Sequence, residues 1–271
     1  MDCKTIGTLT TGEIDCNDLR NNLIINKDKP AIINLTIGTT FKGGIDNLDL
    51  VLETLEECGF SKDRFYIHCD AALYGLISPF AEKDPMFSFN KPIGSVSVSA
   101  HKLLGSPMPC GVLIARKKYT KAVTASIECI STLDNTISGS RNGHAPIFMW
   151  YTISMKGQLG IEREVKNCLT KAQYFRDLLK NAGISNMLND MSIIVVFERP
   201  LNREIIEHWQ IACEGNLAHV VVMPHITTKM LDDFVEDLVR ERTILREIGK
   251  IEPPCLANDI GTSNCACLIH G

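Results

Sequence analysis

Between Pro30 and Asp70 the chain spells a strand, a helix and a second strand, and this order restricts the fold more than any other stretch. Pro30 opens the run Ala31-Ile-Ile-Asn-Leu-Thr-Ile37, and Gly38 closes it. A short apolar run bounded in this way predicts a buried strand. Leu48, Val51, Leu52, Leu55 and Cys58 then recur at helical spacing, with Asp46 or Asn47 placed to cap the helix and Gly59 to end it. Phe65-Tyr-Ile-His-Cys69 forms the second strand and runs into Asp70-Ala-Ala72. Two strands joined by a helix of this length pair in parallel through a right-handed crossover. The chain is thereby committed to an α/β architecture.

A third strand follows at Ser95 to Ser99, where Val96 and Val98 alternate with three serines until Ala100 breaks the pattern. His101 and Lys102 come next, before Gly105, Pro107 and Pro109 turn the chain into Gly111-Val-Leu-Ile-Ala115. That return is too short for a parallel crossover and predicts an antiparallel neighbour. In an open α/β sheet, ligands collect beyond the carboxyl ends of the parallel strands. Three such ends converge here, bearing Gly38-Thr39-Thr40, then His68 and Asp70, then Ser99, His101 and Lys102. Singly each has an ordinary structural reading: Asp70 a cap, His68 a core histidine, the threonines turn formers, Lys102 a solvated loop lysine. Together at one edge they mark a candidate site, with Lys102 the candidate nucleophile.

Further along, Ser138-Gly-Ser-Arg-Asn-Gly-His-Ala-Pro146 reads either as a pocket or interface loop or as a solvated one. Val165, Cys168, Leu169, Ala172, Phe175, Leu179 and Ala182 share one face of a long helix that Gly183 ends. Strands over 192–198 and 219–223, a helix over 202–214 and a last amphipathic helix over 231–245 make a small α+β domain. The expected division is 1–157, 158–250 and a mobile tail over 251–271, where Pro253-Pro254 end the periodicity.

A net charge of -4 and a pI near 6.0 leave no basic footprint for nucleic acid or an anionic membrane surface. No run has the length of a signal peptide or a membrane span, so a cytoplasmic protein with a small-molecule partner is expected. The 11 cysteines are scattered and odd in number, which suits reduced thiols. Cys265-Ala-Cys267 lacks a second ligand pair at metal-binding spacing, so no metal is expected.

Four ordered motifs, Asn-Leu-Thr-Ile-Gly-Thr-Thr, His-Cys-Asp-Ala-Ala, Ser-Val-Ser-Ala-His-Lys and Gly-Ser-Arg-Asn-Gly-His-Ala-Pro, resemble the group II pyridoxal-phosphate decarboxylases. The plant branch called histidine decarboxylase-like or serine decarboxylase is the nearest in pattern. The resemblance runs from about residue 5 to residue 245. It implies the fold-type I architecture, with a partial large domain, a mainly parallel sheet and a small C-terminal domain. It also implies pyridoxal 5'-phosphate as cofactor and decarboxylation of an L-amino acid of the serine or histidine class, in a homodimer. Lys102 would attach the cofactor and Asp70 would face its pyridine nitrogen. Ser99 and His101 would contact the phosphate, Ala72 would lie against the ring, and Thr39 near the ring oxygen or the substrate carboxylate. Relatives carry a substantial part ahead of the residue aligned with Met1, including the glycine- and serine/threonine-rich phosphate cradle and a ring-stacking histidine. The alternative expectation is therefore a non-catalytic fragment or partner subunit.

Overall fold

The computed structural model describes residues 2–80, 87–128, 131–134, 141–247 and 254–270. It divides into two compact units. The first comprises Met1–Ile6, Cys16–Ile37 and Asp46–Ile161; the second comprises Gly7–Asp15, Gly38–Ile45 and Glu162–Gly271.

The first unit is built on a four-stranded sheet. Helix α1 (Cys16–Ile25) precedes β1 (Ala31–Thr36), and α2 (Leu48–Glu57) is the crossover to β2 (Phe65–Asp70). Strands β3 (Ser95–Ser99) and β4 (Gly111–Ala115) complete the order β1-β2-β3-β4, in which β1, β2 and β3 are parallel and β4 is antiparallel. Both the parallel core and the antiparallel return agree with the reading of the sequence. The Asn47 side chain caps α2 by accepting from the N–H groups of Asp49 (3.0 Å) and Leu50 (3.2 Å), a contribution of about 1 kcal/mol. Gly59, at φ 76°, turns the chain out of the helix.

Parallel register makes one row of Leu35, Cys69 and Val96, all buried. The next row, on the opposite face, is Thr36, Asp70 and Ser97. Apolar burial on the first face, roughly 1.5–3 kcal/mol for each large aliphatic side chain, fixes the register. Side-chain alternation then places the polar row on the other face.

Beyond β4 the unit holds the short helix α3 (Lys117–Thr120), the hairpin β5 (Ala125–Ile127) and β6 (Thr132–Asp134), and the start of α4 (His144–Asn181). The helical pattern of the sequence begins at Val165, but α4 starts at His144 and bends at Gly157, whose φ of 59° and ψ of -179° only glycine adopts at low cost. In the expected loop at 138–146, residues 138–140 lie outside the described residues. Asn142 there accepts from the His144 N–H (2.9 Å) where α4 begins.

The second unit packs the end of α4, α5 (Arg203–Trp209) and α6 (Thr228–Glu247) with an antiparallel sheet. That sheet runs β7 (Asn186–Leu188), β8 (Ile194–Glu198), β10 (Leu217–Val221) and β9 (Ala212–Glu214). Phe175, Phe197, Phe234 and Trp209 form its aromatic centre, with ring centroids 5.3–5.8 Å apart. The expected helix over 202–214 ends at Trp209, because Gln210 turns left-handed (φ 51°) and Ala212–Glu214 joins β10 as an edge strand. Segments Gly7–Asp15 and Gly38–Ile45 also belong to this unit. Asn189 holds them by donating to the carbonyls of Thr11 (2.8 Å) and Lys42 (2.9 Å), and Phe41 packs edge-on against His219. Within the expected mobile tail, α7 (Ala257–Ile260) forms and Leu256, Ile260, Cys265 and Cys267 are buried.

Candidate active site

The polar row of the parallel sheet carries the candidate site, and hydrogen bonds give it direction. The Ser97 hydroxyl donates to Asp70 Oδ1 (3.1 Å), so its oxygen is left to accept from His68 Nε2 (3.2 Å). His68 is then protonated on Nε2, and its Nδ1 accepts from the Ser95 hydroxyl (2.7 Å). Tyr66 in turn donates to Ser95 (2.7 Å). A chain of four donors, Tyr66 to Ser95 to His68 to Ser97, therefore ends on the Asp70 carboxylate. The Ala72 N–H also donates to Oδ1 (3.2 Å). Asp70 Oδ2 has no hydrogen-bond partner among the described residues, so the carboxylate is held by one oxygen and presents the other.

The end of β3 is equally constrained. The Ser99 N–H donates to Ala72 O (2.9 Å) and the Ala100 N–H to Cys110 O (2.9 Å), tying the strand end to both neighbours. The Lys102 N–H returns to Ser99 O (3.2 Å), and Gly105, at φ 67°, closes the turn by donating to Lys102 O (3.0 Å). The Cys110 N–H donates to His101 Nδ1 at 3.0 Å. A backbone N–H can only donate, so Nδ1 is the acceptor and Nε2 of the neutral ring bears the proton. The exposed His101 thus offers one outward N–H. Lys102 is half-buried, and its ammonium has no hydrogen-bond or ion-pair partner among the described residues.

Asp70, Ala72, Ser99, His101 and Lys102 are therefore assembled at the carboxyl ends of β2 and β3 in the first unit. Thr39 belongs to the second unit, where its hydroxyl accepts from the Gly44 N–H (2.9 Å) and its own N–H donates to Gly44 O (2.8 Å). Tyr66, Ser95 and Ser97 do not stand out as site residues in the sequence alone. Their signal was the two-residue alternation in adjacent strands, which acquires meaning once the register sets Asp70 beside Ser97.

These residues suit pyridoxal phosphate. A carboxylate fixed through one oxygen matches a protonated pyridine nitrogen, an amine without a partner among the described residues matches an aldehyde carbon, and a hydroxyl with an imidazole N–H matches a phosphate.

Residues 1–199 match the pyridoxal-dependent decarboxylase conserved domain. The chain is 56% identical over 270 residues to serine decarboxylase 1 of Oryza sativa subsp. japonica, covering 100% of this chain and 56% of that protein. It is 52% identical over 268 residues to a histidine decarboxylase of Solanum lycopersicum, covering 98% of this chain and 64% of the relative. The chain thus spans somewhat over half the length of these relatives. In fold it resembles the L-methionine decarboxylase of Streptomyces sp. 590 solved with L-methionine methyl ester (TM-score 0.75, 24% identity, covering 87% of this chain and 58% of that one). It also resembles an Oryza sativa TDC solved with PLP and tryptamine (TM-score 0.71, 17% identity, 89% and 57%).

Proposed function

The chain belongs to the pyridoxal-dependent decarboxylase family, and from that premise we propose that it carries the lysine and aspartate half of an L-amino-acid decarboxylase site. The substrate class is serine or histidine, the substrates named in its relatives. The observation that carries the reading is the placing, at adjacent strand ends, of an Asp70 carboxylate held by one oxygen and a Lys102 without a partner among the described residues.

Pyridoxal phosphate, when bound, accepts the electron pair left as the bond from Cα to the carboxylate breaks. Lys102 Nζ would hold the cofactor at its aldehyde carbon, as the amine carried just beyond the end of β3. Asp70 would hold a proton at the pyridine nitrogen, and the donor chain from Tyr66 fixes the orientation of its carboxylate. Ser99 and His101 would donate to the phosphate, and Ala72 would supply an apolar contact to the ring. The role of Thr39, at the ring oxygen or the substrate carboxylate, rests on the family resemblance. A homodimer is supported by the apolar side chains exposed along α4, Trp150 at 68% and Leu159 at 80% among them. No helix among the described residues is long and apolar enough to cross a membrane.

Borohydride reduction in the presence of the cofactor, followed by peptide mass analysis, tests the reading together with amine release from serine and histidine. The expected result is a pyridoxyl adduct on Lys102 that Lys102→Ala abolishes. An adduct retained on another lysine in that variant overturns the assignment. Neither adduct nor amine from the wild-type chain overturns the activity.

A further inference from the structure

Far along the sequence from the decarboxylase residues, a second group of reactive side chains gathers in the second unit. Cys255 stands at the head of the segment containing α7, and Cys265, Cys267 and His270 stand at its end. Folding brings the three sulfurs and one imidazole nitrogen within 4.8 Å of one another. His270 Nδ1 lies 3.2 Å from Cys267 Sγ and 3.7 Å from Cys255 Sγ. A tetrahedral zinc ion, with Zn–S about 2.3 Å and Zn–N about 2.0 Å, sets its ligand atoms roughly 3.5–3.8 Å apart. The cluster therefore needs only a small contraction to close on an ion.

From this geometry we infer that Cys255, Cys265, Cys267 and His270 form a structural zinc site. Ligand chemistry selects the metal: three thiolates and one imidazole suit zinc, whereas magnesium and calcium take oxygen ligands. The support around the ligands is of the kind that closed zinc sites use. The Leu256 N–H points at Cys265 Sγ (3.2 Å), and the Ala266 N–H, between two ligands, donates to the buried Ser185 hydroxyl (2.9 Å). Asn264 Nδ2 donates to Ile260 O (2.7 Å), closing the turn behind α7. Cys265 and Cys267 are each 4% exposed, while Cys255 and His270 face solvent and leave an entry path. Four protein ligands leave no open position, so the ion staples the segment against the start of β7 and does not activate water. Each thiol that binds releases its proton to solvent, and no electron transfer is involved.

The test uses the full chain expressed with zinc and measured by elemental mass spectrometry, then reconstituted with cobalt(II). The expected result is about one zinc per chain, with cobalt giving the intense visible bands of a tetrahedral thiolate site. His270→Ala, at an exposed position, should weaken zinc affinity at least tenfold while circular dichroism stays unchanged. The Cys265→Ser, Cys267→Ser double variant should lose the ion. Lys102→Ala should keep it, which separates this proposal from the decarboxylase reading. A folded chain without zinc, undiminished affinity in His270→Ala, octahedral cobalt spectra, or a disulfide among these cysteines found by mass would each overturn the site.

Discussion

Gly75, in the short 3-10 turn Tyr74–Leu76 behind Ala72, tests whether close packing sets the position of the Lys102 strand end. A Cβ built there would stand 2.6 Å from Val98 Cγ2 and 3.4 Å from Cγ1. Ordinary carbon contacts lie near 3.5–4.0 Å, so either the turn or β3 must move by about 1 Å. Such overpacking costs about 1–3 kcal/mol, while alanine regains roughly 0.5–1 kcal/mol of glycine's backbone entropy. The net change for Gly75→Ala alone is about 0–2.5 kcal/mol, too broad to decide anything. A double-mutant cycle isolates the clash. Val98→Ala removes the two valine methyl groups, leaving only the milder contact with the Ala71 Cβ at 3.3 Å, at a cost of about 1 kcal/mol for a half-buried side chain. Adding Gly75→Ala to that background should restore about 1–3 kcal/mol relative to additivity. Urea unfolding midpoints at constant m give the four corners of the cycle. A coupling below about 0.5 kcal/mol refutes the reasoning, because the glycine would then be required by something other than Val98.

Two further outcomes follow from buried titratable groups. Burial depresses the pKa of His219 against a smaller opposing effect of Glu214, and its Nδ1 is buried without a partner among the described residues. A depressed folded-state pKa contributes stability that is present above the ordinary imidazole range and lost as pH falls through the folded value. Unfolding midpoints measured between pH 7 and 5 should therefore fall more steeply for the wild type than for His219→Gln; equal slopes would contradict this. The Cys69 thiol, in the buried row between Leu35 and Val96, is pushed up to about 12 by burial and secondarily by Asp46. Iodoacetamide at pH 8 should alkylate the exposed Cys3 and spare Cys69 until denaturant is added, as peptide mapping will show.

The parts of the fold that were legible are those written in a single period. The apolar run at 31–37 and the helical spacing from Leu48 to Cys58 gave the crossover unit, because burial on one face dictates both. The strand-end positions of Asp70, His101 and Lys102 were legible because a strand pattern stops there. The hydrogen-bonded line from Tyr66 to Asp70 required the register between β2 and β3, which no single segment contains. Gln210 broke the helix expected over 202–214 with a left-handed residue that periodicity does not encode. The Cys255 and His270 partners of Cys265 and Cys267 were missed because nine residues of chain, folded around α7, separate Cys255 from Cys265, outside the usual short zinc spacings.

The discontinuous make-up of the second unit has a consequence for synthesis. Asn189 binds the carbonyls of Thr11 and Lys42, which precede it by 178 and 147 residues. At translation rates of 5–20 residues per second, those two segments emerge on the order of ten to thirty seconds before their partner. By the later part of that interval the nascent chain holds the whole sheet of the first unit and two short orphan pieces of the second. A ribosome stalled just before Glu162 would leave both pieces without their sheet. A polypeptide begun at Glu162 would fold, if at all, with Asn189 facing water and His219 stripped of Phe41.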